Sequence, residues 1–247
     1  LKSSGKSLCR TFQELGDDVS RNLHLAYGSA ISYSEETITE STLLEIWRRH
    51  STEVNIRTYT KRQEARNGAD WEWHLIGLKY TLKMRVQAKR LPKNTLQFPG
   101  LFTYKAKSAP HPQIDMLIAE AKRDRLLPIL CFYSEESAKS RWRKSAMSPR
   151  YEVGCLIGDA RRIKRHGYQD LASLEARCVP WHFLVCSQQG RRLFFPSVGK
   201  LNGQTQMRDG KIPTYIVPTD EYFSQPTREA DGEYGPIGLV TLDCRNL

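Results

Sequence analysis

Apolar positions along this chain fall into short runs with different spacings. Residues 7–27 carry them at helical intervals, and Ser34 stands ahead of a second helical stretch that reaches about His50. Val54 to Thr60 alternates and predicts a strand, followed by a polar turn from Lys61 to Gly68. Residues 70–77 and 81–91 alternate again around a short turn near Gly77, which predicts a β-hairpin. Pro110 to Asp124 places Ile114, Leu117, Ile118 and Ala121 on one side, as an amphipathic helix does. Leu127 to Tyr133 is a continuous apolar run with the length of a buried strand. Val153–Ile157 and Trp181–Cys186 are further strand candidates, with Asp159–His166 a short basic helix between them. Residues 135–150 are basic and irregular. From about 187 onward Gly, Pro and Gln dominate, and no element is assigned.

Helix, strands, helix and strand in that order predict an α/β class, a mixed β-sheet core flanked by helices. The chain shows no repeat, no heptad run and no sharp linker. It divides most simply into an N-terminal helical extension (1–33), a core (34–186), and a Gly/Pro-rich, acidic extension packed on the core (187–247).

Composition narrows the classes. No segment approaches the roughly 18 consecutive apolar residues of a membrane span, so no membrane partner is expected. Leu1 to Cys9 is polar and basic and gives no secretory signal. The cysteines at 9, 131, 155, 178, 186 and 244 form no C-x-x-C pair and no zinc spacing. Cys131, Cys155 and Cys186 sit in apolar runs and read as small core residues, which points to a reducing, cytoplasmic setting. The net charge of +11 is segregated. Residues 60–93 are net +6 and residues 121–167 net +7, whereas 205–247 are net −3. That separation suits a polyanionic partner, although charge runs also solvate ordinary surfaces.

Candidate chemistry lies on the hairpin. Alternate side chains of a strand share a face. Asp70, Glu72 and His74 therefore point one way, with Trp71, Trp73 and Leu75 on the other side. In Met84-Arg85-Val86-Gln87-Ala88-Lys89, Gln87 and Lys89 share a face. Antiparallel pairing can gather Asp70, Glu72, Gln87 and Lys89. Carboxylate and amide oxygens suit a hard divalent cation such as Mg²⁺ or Mn²⁺, which can activate water against a phosphodiester. The Lys89 ammonium can stabilise developing negative charge, and Arg85 and Arg90 can hold backbone phosphates. An amphipathic hairpin with a polar wet face is the bland alternative. On the preceding helix, Leu43, Trp47 and more marginally Ile46 define a buried stripe. Glu36 and Glu40 extend that stripe, and Glu45 points away. Such carboxylates need a partner or a metal; they also suit the positive end of a helix dipole.

An acidic helix, Gly68-Ala69-Asp70 at a strand start, and Val86-Gln87-Ala88-Lys89-Arg90 on the next strand resemble the PD-(D/E)xK nuclease superfamily, most closely its Mrr-like restriction endonuclease branch. The likeness covers roughly residues 34–133 and implies a restriction-endonuclease-like core. It makes Asp70 the metal-binding acid, Gln87 the residue in place of the usual Asp or Glu, Lys89 the catalytic lysine and Glu40 the helix-borne acid. Ala69 stands where the superfamily name has Pro. Gln87 removes one anionic ligand, for which Glu72 can compensate because it shares Asp70's face; Glu36 is the second-choice metal-site acid on the helix. The resemblance implies a Mg²⁺- or Mn²⁺-dependent endonuclease acting on DNA rather than RNA in defence against foreign DNA, as a homodimer or within a larger assembly. The alternatives are an inactive nuclease fold that only binds nucleic acid, or a subunit active only inside an assembly.

Other features weigh less. Gly5-Lys6-Ser7 lacks the preceding strand and glycine of a phosphate-binding loop. Trp71 and Trp73 fit core packing better than base stacking. Arg141-Trp142-Arg143-Lys144 interleaves an aromatic with cations and is a candidate nucleic-acid grip, equally compatible with a solvated loop.

Overall fold

The computed structural model describes residues 7–50, 54–58, 68–76, 79–107, 109–135, 151–186, 213–224 and 238–243. Two capped helices come first. Helix α1 (Leu8–Gly28) starts at Ser7, whose Oγ accepts from the Arg10 N–H, and it buries Leu8, Phe12, Leu15, Val19 and Leu23 at helical spacing. Helix α2 (Glu35–Arg49) starts at Ser34, which accepts from the Thr37 N–H. Glu35 and Glu36 occupy its first turn and Arg48 and Arg49 its last, matching the helix dipole at both ends.

Strands β1 (Val54–Thr58), β2 (Trp71–Ile76) and β3 (Tyr80–Arg90) follow, then helix α3 (Gln113–Arg123) and strand β4 (Leu127–Tyr133). Strand β5 (Cys155–Asp159) leads into helices α4 (Ala160–His166) and α5 (Leu171–Glu175). The chain continues through β6 (Val179–Pro180), β7 (Ile216–Pro218), α6 (Thr219–Ser224) and β8 (Gly238–Asp243).

The eight strands among the described residues belong to one mixed sheet in the order β1-β8-β2-β3-β4-β5-β6, with β7 paired to β3. Strands β2 and β3 are antiparallel, with Glu72 opposite Arg85. Strand β4 is parallel to β3, so α3 provides the crossover. Strand β7 pairs with the first residues of β3. The late strand β8 lies between β1 and β2, antiparallel to the first and parallel to the second.

The sheet separates two cores. Met84, Val86 and Ala88 join Trp71, Trp73, Cys131 and Tyr133 beneath α1 and α2. On the opposite face Leu130 and Phe132 pack with Ile114, Leu117, Ile163 and Leu174 from α3, α4 and α5. Trp71 and Trp73 are core residues; Trp73 packs on Phe12 and Trp181, and the Trp181 indole N–H donates to the Phe12 carbonyl at 2.7 Å. Gly154 lets α1 approach. A Cβ there would stand 2.4 Å from the Gly16 oxygen, to which the Gly154 N–H donates.

Two sequence expectations are corrected. The run Trp181–Cys186 is not a strand: only Val179–Pro180 pairs with β5, and Trp181–Leu184 forms a 3-10 helix. Cys186 is not a free core thiol but is joined to Cys9 by a disulfide across 177 residues, with Cα atoms 4.9 Å apart. The cysteine pattern therefore no longer argues for a reducing compartment. Among the described residues no helix is long and apolar enough to cross a membrane.

Candidate active site

Strand β3 outruns its partner. The last antiparallel pair places Trp71 opposite Val86, and one residue further the Asp70 N–H still donates to the Val86 carbonyl at 2.8 Å. Beyond that point the edge is finished by side chains. The N–H groups of Ala88 and Arg90 point to the same edge, because strand residues repeat every two positions. The Asp70 carboxylate accepts from the first at 2.5 Å and the Glu35 carboxylate from the second at 2.8 Å. Two residues of strand separate these anchor points by about 7 Å. Both charges reach β4: burial pushes the Cys131 thiol up, Tyr133 opposes this by hydrogen bonding, and the fields of Asp70 and Glu35 push it further up.

Lys89 completes the cluster. Its Nζ lies 3.4 Å from Glu35 Oε1, with the lysine side chain 18% and the glutamate 33% exposed, so solvent and ligand can reach the pair. It also lies 5.9 Å from the ring centre of Tyr104. Gln87, two residues earlier on the same face, is fully buried. Its Nε2 donates to the Gly68 carbonyl at 2.8 Å, which fixes which end of the amide is oxygen. Among the described residues, Gln87 Oε1 is buried with no hydrogen-bond partner, as is Oε1 of Gln113, the first residue of α3. A buried acceptor left unpaired costs about 1–3 kcal/mol, so each oxygen is suited to receive a donor or a cation. Between the two glutamines, Gly68 has φ +68°. A Cβ there would sit 2.4 Å from the Gln113 carbonyl oxygen and 2.8 Å from the Leu117 nitrogen. Only glycine permits this turn to press against the start of α3 and aim Asp70 at β3.

Several sequence-chosen residues stand elsewhere. Glu72 and Arg85 face each other across the hairpin and are buried; Arg85 donates to Glu72 and, at 2.8 Å, to Asp124. Arg85 is therefore closed off from a phosphate, and Glu72 is occupied by a guanidinium rather than available to complete a metal site. Burial pushes the Asp124 carboxyl up, but hydrogen bonds from Arg123 and Arg85 outweigh it and hold it below its usual range. His74 adjoins this network, with its Nδ1 2.8 Å from the Tyr222 hydroxyl. Burial lowers its pKa against the opposing pull of Glu72.

On α2 the buried stripe is Ile38, Thr39, Thr42, Leu43 and Ile46. Trp47 is 41% exposed, and Glu36 and Glu40 are exposed with it. The acid that the helix delivers to the β3 edge is Glu35, three and four residues before Ile38 and Thr39, which places it on that stripe. Arg90 is half-buried at the strand end. Arg141, Arg143 and Lys144 lie outside the described residues.

The oxygens near the Gly68 turn and the β3 edge come from two carboxylates, Asp70 and Glu35, and an orphaned amide, Gln87. Mg²⁺ commonly takes one or two carboxylates and keeps several waters, so this donor set fits a hydrated divalent ion. It does not resemble a closed cage: among the described residues there is no group of three or more His, Cys, Asp or Glu side chains arranged to hold a metal.

No characterised protein matches this sequence. Residues 8–230 match a family described only as a family of unknown function, DUF6615. The match spans the helices, the hairpin and the crossover that build the site, and the chain belongs to that family.

Proposed function

We propose that this chain is a divalent-metal-dependent endonuclease that hydrolyses phosphodiester bonds in DNA, with a restriction-endonuclease-like core. One observation carries the reading: along the last residues of β3, beyond the end of β2, Asp70 and Glu35 accept from successive backbone N–H groups, Lys89 stays accessible, and the buried Gln87 keeps an amide oxygen with no partner among the described residues. Asp70, Glu35 and Gln87 Oε1 are the groups that would hold Mg²⁺ or Mn²⁺. When bound, the cation supplies Lewis-acid polarisation of the phosphoryl oxygen and lowers the pKa of the attacking water.

The chain's own groups do the rest. Asp70 and Glu35 are each anchored on a backbone N–H, and Gln87 on a backbone carbonyl, so the oxygens are oriented before any substrate arrives. Lys89 presents its ammonium to the phosphate, where it stabilises charge that grows in the transition state. Glu35 holds that ammonium at the rim.

Plasmid incubated with Mg²⁺ or Mn²⁺ tests the proposal. Asp70→Ala and Lys89→Ala are each expected to lower the cleavage rate on the order of 10²–10³-fold, with unchanged circular dichroism. Cleavage that survives both substitutions would end the assignment. The small number of carboxylates favours a second reading, a nuclease fold that binds nucleic acid without cutting it. Salt-dependent DNA binding with no hydrolysis under any divalent metal would select that reading instead.

A further inference from the structure

The connection between β3 and α3 spans residues 91–112, far longer than the usual loop of roughly 4–6 residues. It contains Lys93, Lys105, Lys107 and His111 and no Asp or Glu. All four of these side chains are exposed. The connection is nevertheless built, not loose. Leu91, Phe98, Leu101 and Ala109 are buried, and the Phe98 ring packs 4.8 Å from Phe132 of β4. The Leu91 N–H donates to the Tyr133 carbonyl at 2.8 Å, and the Gln113 N–H to the Tyr104 carbonyl at 2.9 Å. The Phe98 N–H donates to the Gln169 carbonyl at 2.8 Å, and the Leu171 N–H to the Leu96 carbonyl at 2.8 Å.

Fixed in this way, the connection holds Tyr104 beside the proposed reaction centre. The tyrosine is 58% exposed, an unusual state for an aromatic, and Lys89 Nζ is its cationic neighbour. The segment that braces the connection adds a second aromatic surface. His166 stacks on Tyr168 with ring centres 5.2 Å apart and planes 16° apart, and the Arg177 guanidinium lies 5.7 Å over the same tyrosine. An exposed ring among cations, on a connection that carries no carboxylate of its own, is what an unpaired nucleic-acid strand needs, because stacking uses base faces that a duplex hides. An acidic protein partner would use the lysines but has no use for the ring.

We propose that residues 91–107 form a track for single-stranded nucleic acid, with Tyr104 stacking a base next to Lys89 and Lys93, Lys105 and Lys107 contacting phosphates. The position of the scissile bond rests on the nuclease reading given above, whereas binding along the track does not. The test is fluorescence anisotropy with a labelled oligothymidylate and a labelled duplex, in EDTA so that no hydrolysis can occur. Tyr104→Ala is expected to weaken oligothymidylate binding roughly ten-fold and duplex binding less than about two-fold. The triple variant Lys93→Gln, Lys105→Gln, Lys107→Gln is expected to reduce the slope of log K against log salt by about 2, three phosphate contacts at about 0.7 each. All four side chains are exposed, so the variants should keep the wild-type circular dichroism. Wild-type affinity and slope in both variants overturns the track. Equal loss on single strand and duplex with Tyr104→Ala overturns the single-strand assignment. A protein that binds as expected yet never cleaves plasmid refutes only the nuclease reading.

Discussion

Two adjacent groups at the open end of the β2–β3 hairpin are made of similar residues and behave as opposites, an inner one at Glu72 and Arg85 and an outer one at Asp70 and Lys89. In the inner group Glu72, Arg85 and Asp124 pair with one another and leave little exposed. In the outer group Asp70 and Glu35 are anchored on backbone N–H groups instead, and Lys89 remains reachable. Gln87 keeps an orphaned oxygen nearby. A carboxylate facing an arginine across a strand pair becomes a structural strut; one placed where the partner strand has ended keeps an open approach. The difference lies in register and strand length, not in residue type.

The strongest way to break this contrast is to remove one carboxylate from each group. Glu72→Ala leaves a buried guanidinium without its main partner and is expected to cost about 3–5 kcal/mol of stability. Asp70→Ala loses one acceptor at a strand edge and is expected to cost about 1 kcal/mol, while lowering the proposed cleavage on the order of 10²–10³-fold. Urea unfolding of both variants checks this; equal destabilisation would erase the distinction between the two groups. A smaller effect separates the helix acids. Glu35→Gln is expected to lower cleavage about ten-fold, a loss of about 1.4 kcal/mol in transition-state binding, whereas Glu40→Gln stays within two-fold. Single-turnover rates decide it, and the reverse order would return the helix acid to position 40.

Smallest is a pH effect at His74, in the middle of β2. Burial depresses the pKa of His74 below its ordinary 6.5, so the folded protein favours the neutral ring and the unfolded chain takes up the proton first. Its contribution is therefore complete above pH 6.5 and is lost as pH falls from there towards the folded value, at no more than about 1.4 kcal/mol per pH unit. His74→Asn should flatten the pH dependence of the urea midpoint below pH 6.5. An unchanged profile would mean that the ring does not titrate on unfolding.

Much of the framework was legible because burial is one-sided. Trp71, Trp73, Met84, Val86 and Ala88 alternate with polar neighbours, so the hairpin and the shared face of Gln87 and Lys89 follow from period two. The stripe of α2 was harder to read. Thr39 and Thr42 look polar, yet their hydroxyls donate back to the carbonyls of Glu35 and Ile38, at 2.9 and 2.8 Å, and so can be buried. Counting Trp47 as core and the threonines as surface rotates the wheel and selects Glu36 and Glu40 over Glu35. Trp181–Cys186 is apolar except for His182, and periodicity does not separate a short buried helix from a buried strand. The pairing of Glu72 with Arg85 depends on a register that only the hairpin geometry supplies.

The placement of β8 has a consequence for synthesis on the ribosome. Among the described residues, 54–58 find their sheet partner in 238–243, so an early strand waits for that pairing until nearly two hundred further residues have been translated. Contacts of such long range slow folding and leave an edge open to wrong neighbours meanwhile. A nascent chain lacking its last strand should therefore be the form most prone to aggregate.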